Sequence, residues 1–278
     1  MSGPDGLRVL VIDAAASRTG ASIAEAWSAR ELMYFLVWRD LKVRYKQTAL
    51  GALWALIQPF ATMVVFSVFF GRLAGVPSDG VPYPVFAFAA LVPWTYFSAA
   101  IGGGAQSLIG SQGLISKVYF PRLVIPAAAV VTPLVDAAIA LALLLVLMAW
   151  FGIAPPPAVV LLPLFAGLAV AAAAAAAVWL AALGAKYRDV RYVVPFLVQF
   201  WLYISPVAYP TTLVPERWRP LYGLNPMATV VDGFRWTLLG TPPPAPAMAV
   251  ISTAAVALAL WAGLQYFRRS EAALADVL

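Results

Sequence analysis

Reactive chemistry has few places to sit in this chain. Its 278 residues include no histidine and no cysteine, so the usual general base, imidazole or thiolate metal ligands and the thiol nucleophile are missing. Disulfides are excluded for the same reason. There are only twelve acids, and no two lie together in an apolar stretch as an acid–base pair requires. Gly102 to Gly104 is not followed by the Gly-Lys-Ser/Thr that cradles nucleotide phosphate. Neither an enzyme, nor a metal site, nor an internal ATPase is expected. Two kinds of polar feature remain, a lone acid in a long apolar run and several short clusters of cations.

The acid is Asp136, thirteen residues beyond Leu123 and so about 20 Å along a helix at about 1.5 Å per residue. An intramembrane carboxylate is by default a functional candidate, as in a proton relay. It can equally be a packing element, protonated or bonded to hydroxyls and amides such as Thr132 or Gln199, since no Lys or Arg inside an apolar run offers itself as partner. Of the cation clusters, "KYRDVRY" places Lys186, Tyr187, Arg188, Asp189 and Arg191 between two apolar runs, and "WRDLKVRY" repeats the pattern before the first of them.

The elements that carry these residues are membrane helices. Hydrophobic residues make up 63% of the chain and charged ones 11%, against roughly 45–50% and 25% in soluble domains. About 20 apolar residues cross a bilayer, and six such spans fit at about 50–70, 83–103, 123–150, 159–185, 193–214 and 247–267. The expected fold is an all-α integral membrane protein, with an N-terminal arm over 1–33, a membrane domain over 34–267 and a tail over 268–278. Cationic loops stay on the cytosolic side, and Arg30, Arg39, Lys42, Arg44, Lys46, Lys117, Arg122, Lys186, Arg188, Arg191, Arg268 and Arg269 all fall on alternate connections. Both termini are therefore expected in the cytoplasm. Asp13 interrupts "VLVIDAAA", so no cleaved leader is expected. The net charge of +6 suits loops near anionic lipid, and no nucleic-acid partner is called for.

From 34 to 46 the pattern is amphipathic, with Tyr34, Val37, Trp38, Leu41 and Tyr45 on one side and Arg39, Lys42 and Lys46 on another, which predicts a helix lying in the membrane interface. Gln58-Pro59 predicts a bend in the first span. The run Ala171 to Ala177 has little side-chain volume and suits close helix packing. Asn225 as N-cap, Pro226 at the first helical position and Gly240 as stop predict a helix over 226–239. A shorter helix holding Trp218 and Tyr222 should precede it, both dipping into the outer membrane face. The connection from about Ala105 to Pro121 is long enough for a short helix across the inner face. With the 34–46 helix and "KYRDVRY" it should form one docking surface.

The strings "FLVWRDLKVRYKQTALGALW", "PYPVFAFAALVPW", "LISKVYFPR", "YRDVRYVVPFLVQ", "SPVAYP", "VPERW", "LNPM" and "GFRWTLLG" stand in the order found in the membrane subunits of ABC type-2 polysaccharide exporters, which this chain resembles over about residues 30 to 240. Gly184 stands where that family often has Asn, and Asp232 where Glu is usual. The resemblance implies a homodimer bound to two copies of a separate ABC ATPase, which supplies ATP and Mg, and export of a lipid-linked polysaccharide through the bacterial inner membrane. It implies coupling to the ATPase through Ser107, Gln112, Lys117 and Tyr119, with Arg39, Lys42 and Lys46 of the interface helix. A second contact falls at Lys186 to Tyr192, where cations could also hold a lipid pyrophosphate. Outer gate helices fall at Trp218, Tyr222, Phe234 and Trp236. A path along spans one and five would expose some of Trp54, Phe60, Phe66, Phe200, Trp201 and Tyr203 to sugar, with Asp136 a further candidate.

Two other readings compete. A proton-coupled flippase would use Asp136, and a membrane enzyme acting on polyprenyl-linked sugar would need to change its substrate covalently.

Overall fold

The structure, a computed structural model, describes residues 29–46, 53–115, 117 and 120–277. Residues 1–28 of the N-terminal arm, Tyr119 and the segment 47–52 lie outside the described residues, and residues 30–33 of the expected arm belong to the first helix. Among the described residues the chain is all-helical. Five helical stretches are long and apolar enough to cross a membrane.

The first helix, α1 (Arg30–Lys46), starts four residues earlier than the amphipathic pattern alone suggests. Glu31 in its first turn and Arg44 and Lys46 in its last complement the helix dipole. The first span is α2 (Trp54–Phe66), which includes Pro59 and continues as a π-helical segment, Ser67–Leu73. Next comes α3 (Tyr83–Gly110), seven residues longer than the span expected from hydropathy, and a single turn, α4 (Gln112–Ile115). The third span is divided into α5 (Val124–Val131) and α6 (Leu134–Trp150), with the break at Thr132-Pro133. The fourth is a short 3-10 turn, Pro157–Leu161, leading into α7 (Leu162–Lys186).

The fifth apolar element corrects an expectation. It is α8 (Val190–Ile204), ending ten residues before the predicted 214. Ser205 is extended, at φ −83° and ψ 149°, because it precedes Pro206 and a residue before proline is pushed out of the helical region. At about 1.5 Å per residue α8 is about 22 Å long, less than a bilayer core. The chain then folds back through 3-10 turns at Thr211–Leu213 and Glu216–Trp218, then α9 (Arg219–Tyr222) and α10 (Pro226–Leu239). The last helix, α11 (Pro246–Val277), extends ten residues past the expected end of span six.

The organising element is α3, packed against α7, α5, α6 and α10. Close approach to α7 depends on small residues: a Cβ added at Gly104 would lie 2.5 Å from the Ala177 Cβ, and one at Gly184 would lie 2.3 Å from the Ala105 carbonyl oxygen. The alanine run therefore packs as its composition suggests. A larger cluster around Phe88, Leu91, Phe97, Ala173, Met227 and Phe234 fills the body of the domain. A smaller one joins Leu36 of α1 to Leu108, Val124, Ala181 and Phe267.

Candidate functional site

That smaller cluster gathers the cations. Leu36 holds α1 against α5, Phe267 immediately precedes Arg268 and Arg269, and Gly184 against Ala105 sets Lys186 beside the end of α3. The four cation-bearing connections thus meet at one end of the domain. Between α1, α3 and α5 is a cleft of about 550 Å³ lined by Arg39, Arg44, Gln106, Ser107 and Thr132, among others. It joins the interface helix to the start of the expected coupling stretch. The Ser107 hydroxyl donates to the Gly104 carbonyl at 2.7 Å, whereas Gln112 and Lys117 are exposed farther along. Arg39 pairs with Asp40 at 2.8 Å, and the Lys42 ammonium lies 5.2 Å from the Trp38 ring centre. Lys46 is exposed.

Contrary to the expected single amphipathic division, α1 has two apolar faces. Leu36 is buried, with Leu32, Met33 and Val37 packed beside it, while Tyr34, Phe35 and Trp38 stay exposed for lipid or a partner.

The turn between α7 and α8 is three residues long, Tyr187 to Asp189. Lys186, Tyr187, Arg188, Asp189 and Arg191 are all exposed. Lys186 lies over Tyr187 at 5.2 Å and Arg191 over Tyr192 at 4.7 Å, which holds the cations at the helix ends.

Asp136 has a partner that the sequence did not reveal. Arg44 forms an ion pair with it, and the Tyr45 hydroxyl donates to its other oxygen. The cation comes from the interface helix and meets the carboxylate in the first turn of α6, just past the Thr132-Pro133 break. The carboxylate is therefore bonded to α1 rather than isolated within the spans, or held by Thr132, whose hydroxyl is bonded to the Ala128 carbonyl. Burial, with the bond to Asp136 adding to it, pushes the Tyr45 phenol up to about 12.

The aromatic residues considered for a path divide into two groups. Trp54, Phe60, Phe200 and Tyr203 face outward from this chain, whereas Phe66 is buried. Trp201 packs edge-on against Phe97 at 5.1 Å and donates to the Asn225 side chain at 2.9 Å. Asn225 in turn caps α10 by accepting from the Met227 amide, and Gly240 ends that helix at φ 73°, as the capping residues predict.

The helix α10 is enclosed by the chain itself, with Phe234 buried and Trp236 edge-on to Phe165 at 6.2 Å. Tyr222 is tied to the end of α8 through the Ile204 carbonyl at 2.5 Å, and Trp218 is exposed.

The residue missed in the sequence is Arg235. It is fully enclosed, donating to the carbonyls of Phe86, Pro206, Tyr209 and Val207 at 3.1, 2.6, 3.3 and 2.7 Å. Four carbonyls facing one planar cation replace the water it gave up. Burial still lowers its pKa to about 10. The signal was available in an arginine within an apolar helix, together with the proline-rich "SPVAYP", whose carbonyls lack helical partners.

The chain is a membrane domain built on a central helix, with an interface helix at one end and short helices folded back at the other. A sequence model of ABC-2 type transporters matches residues 31–239, and the chain belongs to this family. It is 34% identical over 256 residues to the O-antigen export system permease protein RfbA of Myxococcus xanthus, a match covering 90% of this chain and 96% of the relative. It is also 26% identical over 206 residues to RfbA of Klebsiella pneumoniae, covering 74% and 79%. The polysialic acid transport protein KpsM of Escherichia coli is 24% identical over 195 residues, covering 70% and 76%.

Proposed function

We propose that this chain is the permease subunit of an ATP-driven exporter that carries a lipid-linked polysaccharide of the O-antigen or capsule type out across the bacterial inner membrane. The likeness to an O-antigen export permease over nearly the full length of both chains carries this reading. A homodimer binds two copies of an ATPase that brings ATP and Mg. The cation-rich end faces the cytoplasm, with both termini on that side.

Arg39, Lys42, Lys46, Ser107, Gln112, Lys117 and Tyr119 dock and couple the ATPase. Lys186, Tyr187, Arg188, Asp189 and Arg191 form the inner mouth, and the helices carrying Trp218, Tyr222, Phe234 and Trp236 form the outer gate. Six helices hardly enclose a hydrated glycan, whereas two copies about an axis supply matching walls. Trp54, Phe60, Phe200 and Tyr203 are available for such a wall, and aromatic faces let sugars slide without deep minima.

Asp136 is engaged by Arg44 and Tyr45 of the interface helix, which favours a structural tie between α1 and α6 over the proton-coupled alternative. The test is copurification with an ABC ATPase subunit, followed by vanadate-sensitive uptake of lipid-linked glycan into inverted vesicles. Transport that persists with an inactivated ATPase, or that collapses with the proton gradient while ATP is abundant, would overturn the proposal.

A further inference from the structure

Span three is broken where the interface helix reaches it. Its first half, α5, is followed by Thr132, whose amide and hydroxyl both donate to the Ala128 carbonyl, at 2.9 and 2.8 Å. A threonine bonded back in this way bends a helix. Pro133 comes next and has no amide hydrogen to offer the Ala129 carbonyl. The following carbonyl, that of Val130, accepts instead from the Tyr96 hydroxyl of α3 at 3.2 Å. Beyond the break the Val135 amide reaches the Thr132 carbonyl at 3.4 Å, a long bond and a weak one. Backbone bonding across Thr132-Pro133 is therefore thin, and a proline beside a side chain inserted in the ladder is where helices bend.

The two halves are held differently. Helix α5 packs on α3 and α7, with Val124, Ile125, Ala128 and Val130 buried. The first residues of α6, Leu134 and Val135, are exposed. The interface helix α1 holds both halves. Leu36 seats it on α5. Eight residues further along α1, a distance of about 12 Å at about 1.5 Å per residue, Arg44 and Tyr45 bind Asp136 of α6. The cleft of about 550 Å³ flanks the break, with Arg44 on one side and Gly103, Ala129, Thr132 and Pro133 across from it. Small residues opposite α1 leave it room to tilt.

We propose that α1 is a splint across a hinge in span three: Leu36 fixes it to α5, Arg44 and Tyr45 grip Asp136 of α6, and tilting α1 bends the span at Thr132-Pro133. Helix α6 packs on α2, which carries Trp54 and Phe60, so the bend is passed to that wall. The proposal rests on the docking of an ATPase at Arg39, Lys42 and Lys46 of the same helix, put forward above, and adds the route by which docking reaches the spans. Arg44, Tyr45 and Asp136 touch no substrate on this route. They act by positioning α6.

The test uses the full-length chain with an ABC ATPase subunit in inverted vesicles. It reads glycan moved per ATP hydrolysed, alongside copurification and unfolding temperature. The chain has no cysteine, so Arg44→Cys with Asp136→Cys can be joined by a short bismaleimide that stands in for the lost ion pair. Unlinked, this pair should move about fivefold less glycan per ATP, the factor expected for a partly exposed ion pair, with copurification unchanged. Linked, it should return toward the wild type. Pro133→Ala restores an amide to the break. It should hold or raise the unfolding temperature while lowering glycan moved per ATP, a combination that a merely structural residue does not give. Hydrogen exchange over 134–137 should change when vanadate traps the wild-type complex and stay unchanged in Asp136→Asn.

A linked pair that stops transport means that the contact has to open, and Pro133→Ala with full coupling means that span three does not bend. Either result would overturn the proposal, as would exchange over 134–137 that is indifferent to vanadate in the wild type. Equal loss of copurification and transport in the unlinked pair would reduce it to a structural tie. A wild-type chain that exports nothing with ATP sinks the exporter reading and the splint with it. Wild-type export with coupling unchanged in the unlinked pair sinks the splint alone.

Discussion

The guanidinium of Arg235 lies 3.4 Å from the centre of the Phe86 ring, while its nitrogens hold the carbonyls of residues 206, 207 and 209. One side chain of α10 therefore ties the start of α3 to the turn that ends α8. Arg235→Lys keeps the charge but loses the planar fork and the ring stacking. It should lower stability by about 2–3 kcal/mol through unsatisfied carbonyls, read as a lower unfolding temperature in detergent.

Asp136 and Arg44 connect α6 to the interface helix. Asp136→Asn and Arg44→Gln should each destabilise modestly, and their effects should overlap by about 1 kcal/mol in a double-mutant cycle, as for a partly exposed pair. Exchanging the two residues, Asp136→Arg with Arg44→Asp, should recover part of the stability and export lost by either alone. A purely additive cycle would mean that the pair does not hold α1.

The contact between Gly104 and Ala177 leaves no room for a side chain. Gly104→Val should separate α3 from α7 and cost about 1–3 kcal/mol by overpacking. Gly102→Val is the control, since nothing lies within 4 Å of a Cβ built there. Equal losses in the two variants would point to backbone conformation rather than packing.

Asp232 gives α10 and the turns packed against it a pH dependence. Burial pushes its carboxyl up to about 6, and the bond from Thr211, Arg235 and Arg219 pull it back, while Asp79 adds to the rise. The folded state therefore holds the proton more tightly than the unfolded chain. Stability from this group is full below about pH 4 and is lost as pH rises through about 6. Asp232→Asn should remove this slope from a plot of unfolding temperature against pH between those values.

In the turn between α7 and α8, Arg188→Ala with Arg191→Ala should lower transport more than it lowers copurification with the ATPase. Equal loss of both would make the turn a docking element only.

Local chemistry was legible where neighbouring residues decide the outcome. Asn225, Pro226 and Gly240 delimit a helix to the residue because capping involves groups only a few positions apart. Hydropathy found the spans, but it placed the end of the fifth too late. The apolar run continues past Ser205, and only the proline after it explains why the helix stops. The long-range bonds were not legible: Arg44 and Asp136 are 92 positions apart, and nothing in either neighbourhood indicates the other. Arg235 stood out by type, yet its four acceptors come from two separate segments that only the fold brings together. The aromatic candidates showed the same limit, since Trp201 and Phe200 are adjacent in sequence and point to different surroundings.

The π-helical segment Ser67–Leu73 closes the C-terminal end of the first span, with Phe69 exposed and Phe70 packed edge-on against Phe66 at 5.3 Å. A π turn holds one residue more than an α turn needs. Tightening this segment to α geometry would swing the residues beyond it by about 100° around the axis, while α2 below stayed in place. The extra residue of this segment thus sets the direction in which the chain leaves span one, independently of the helix that carries it.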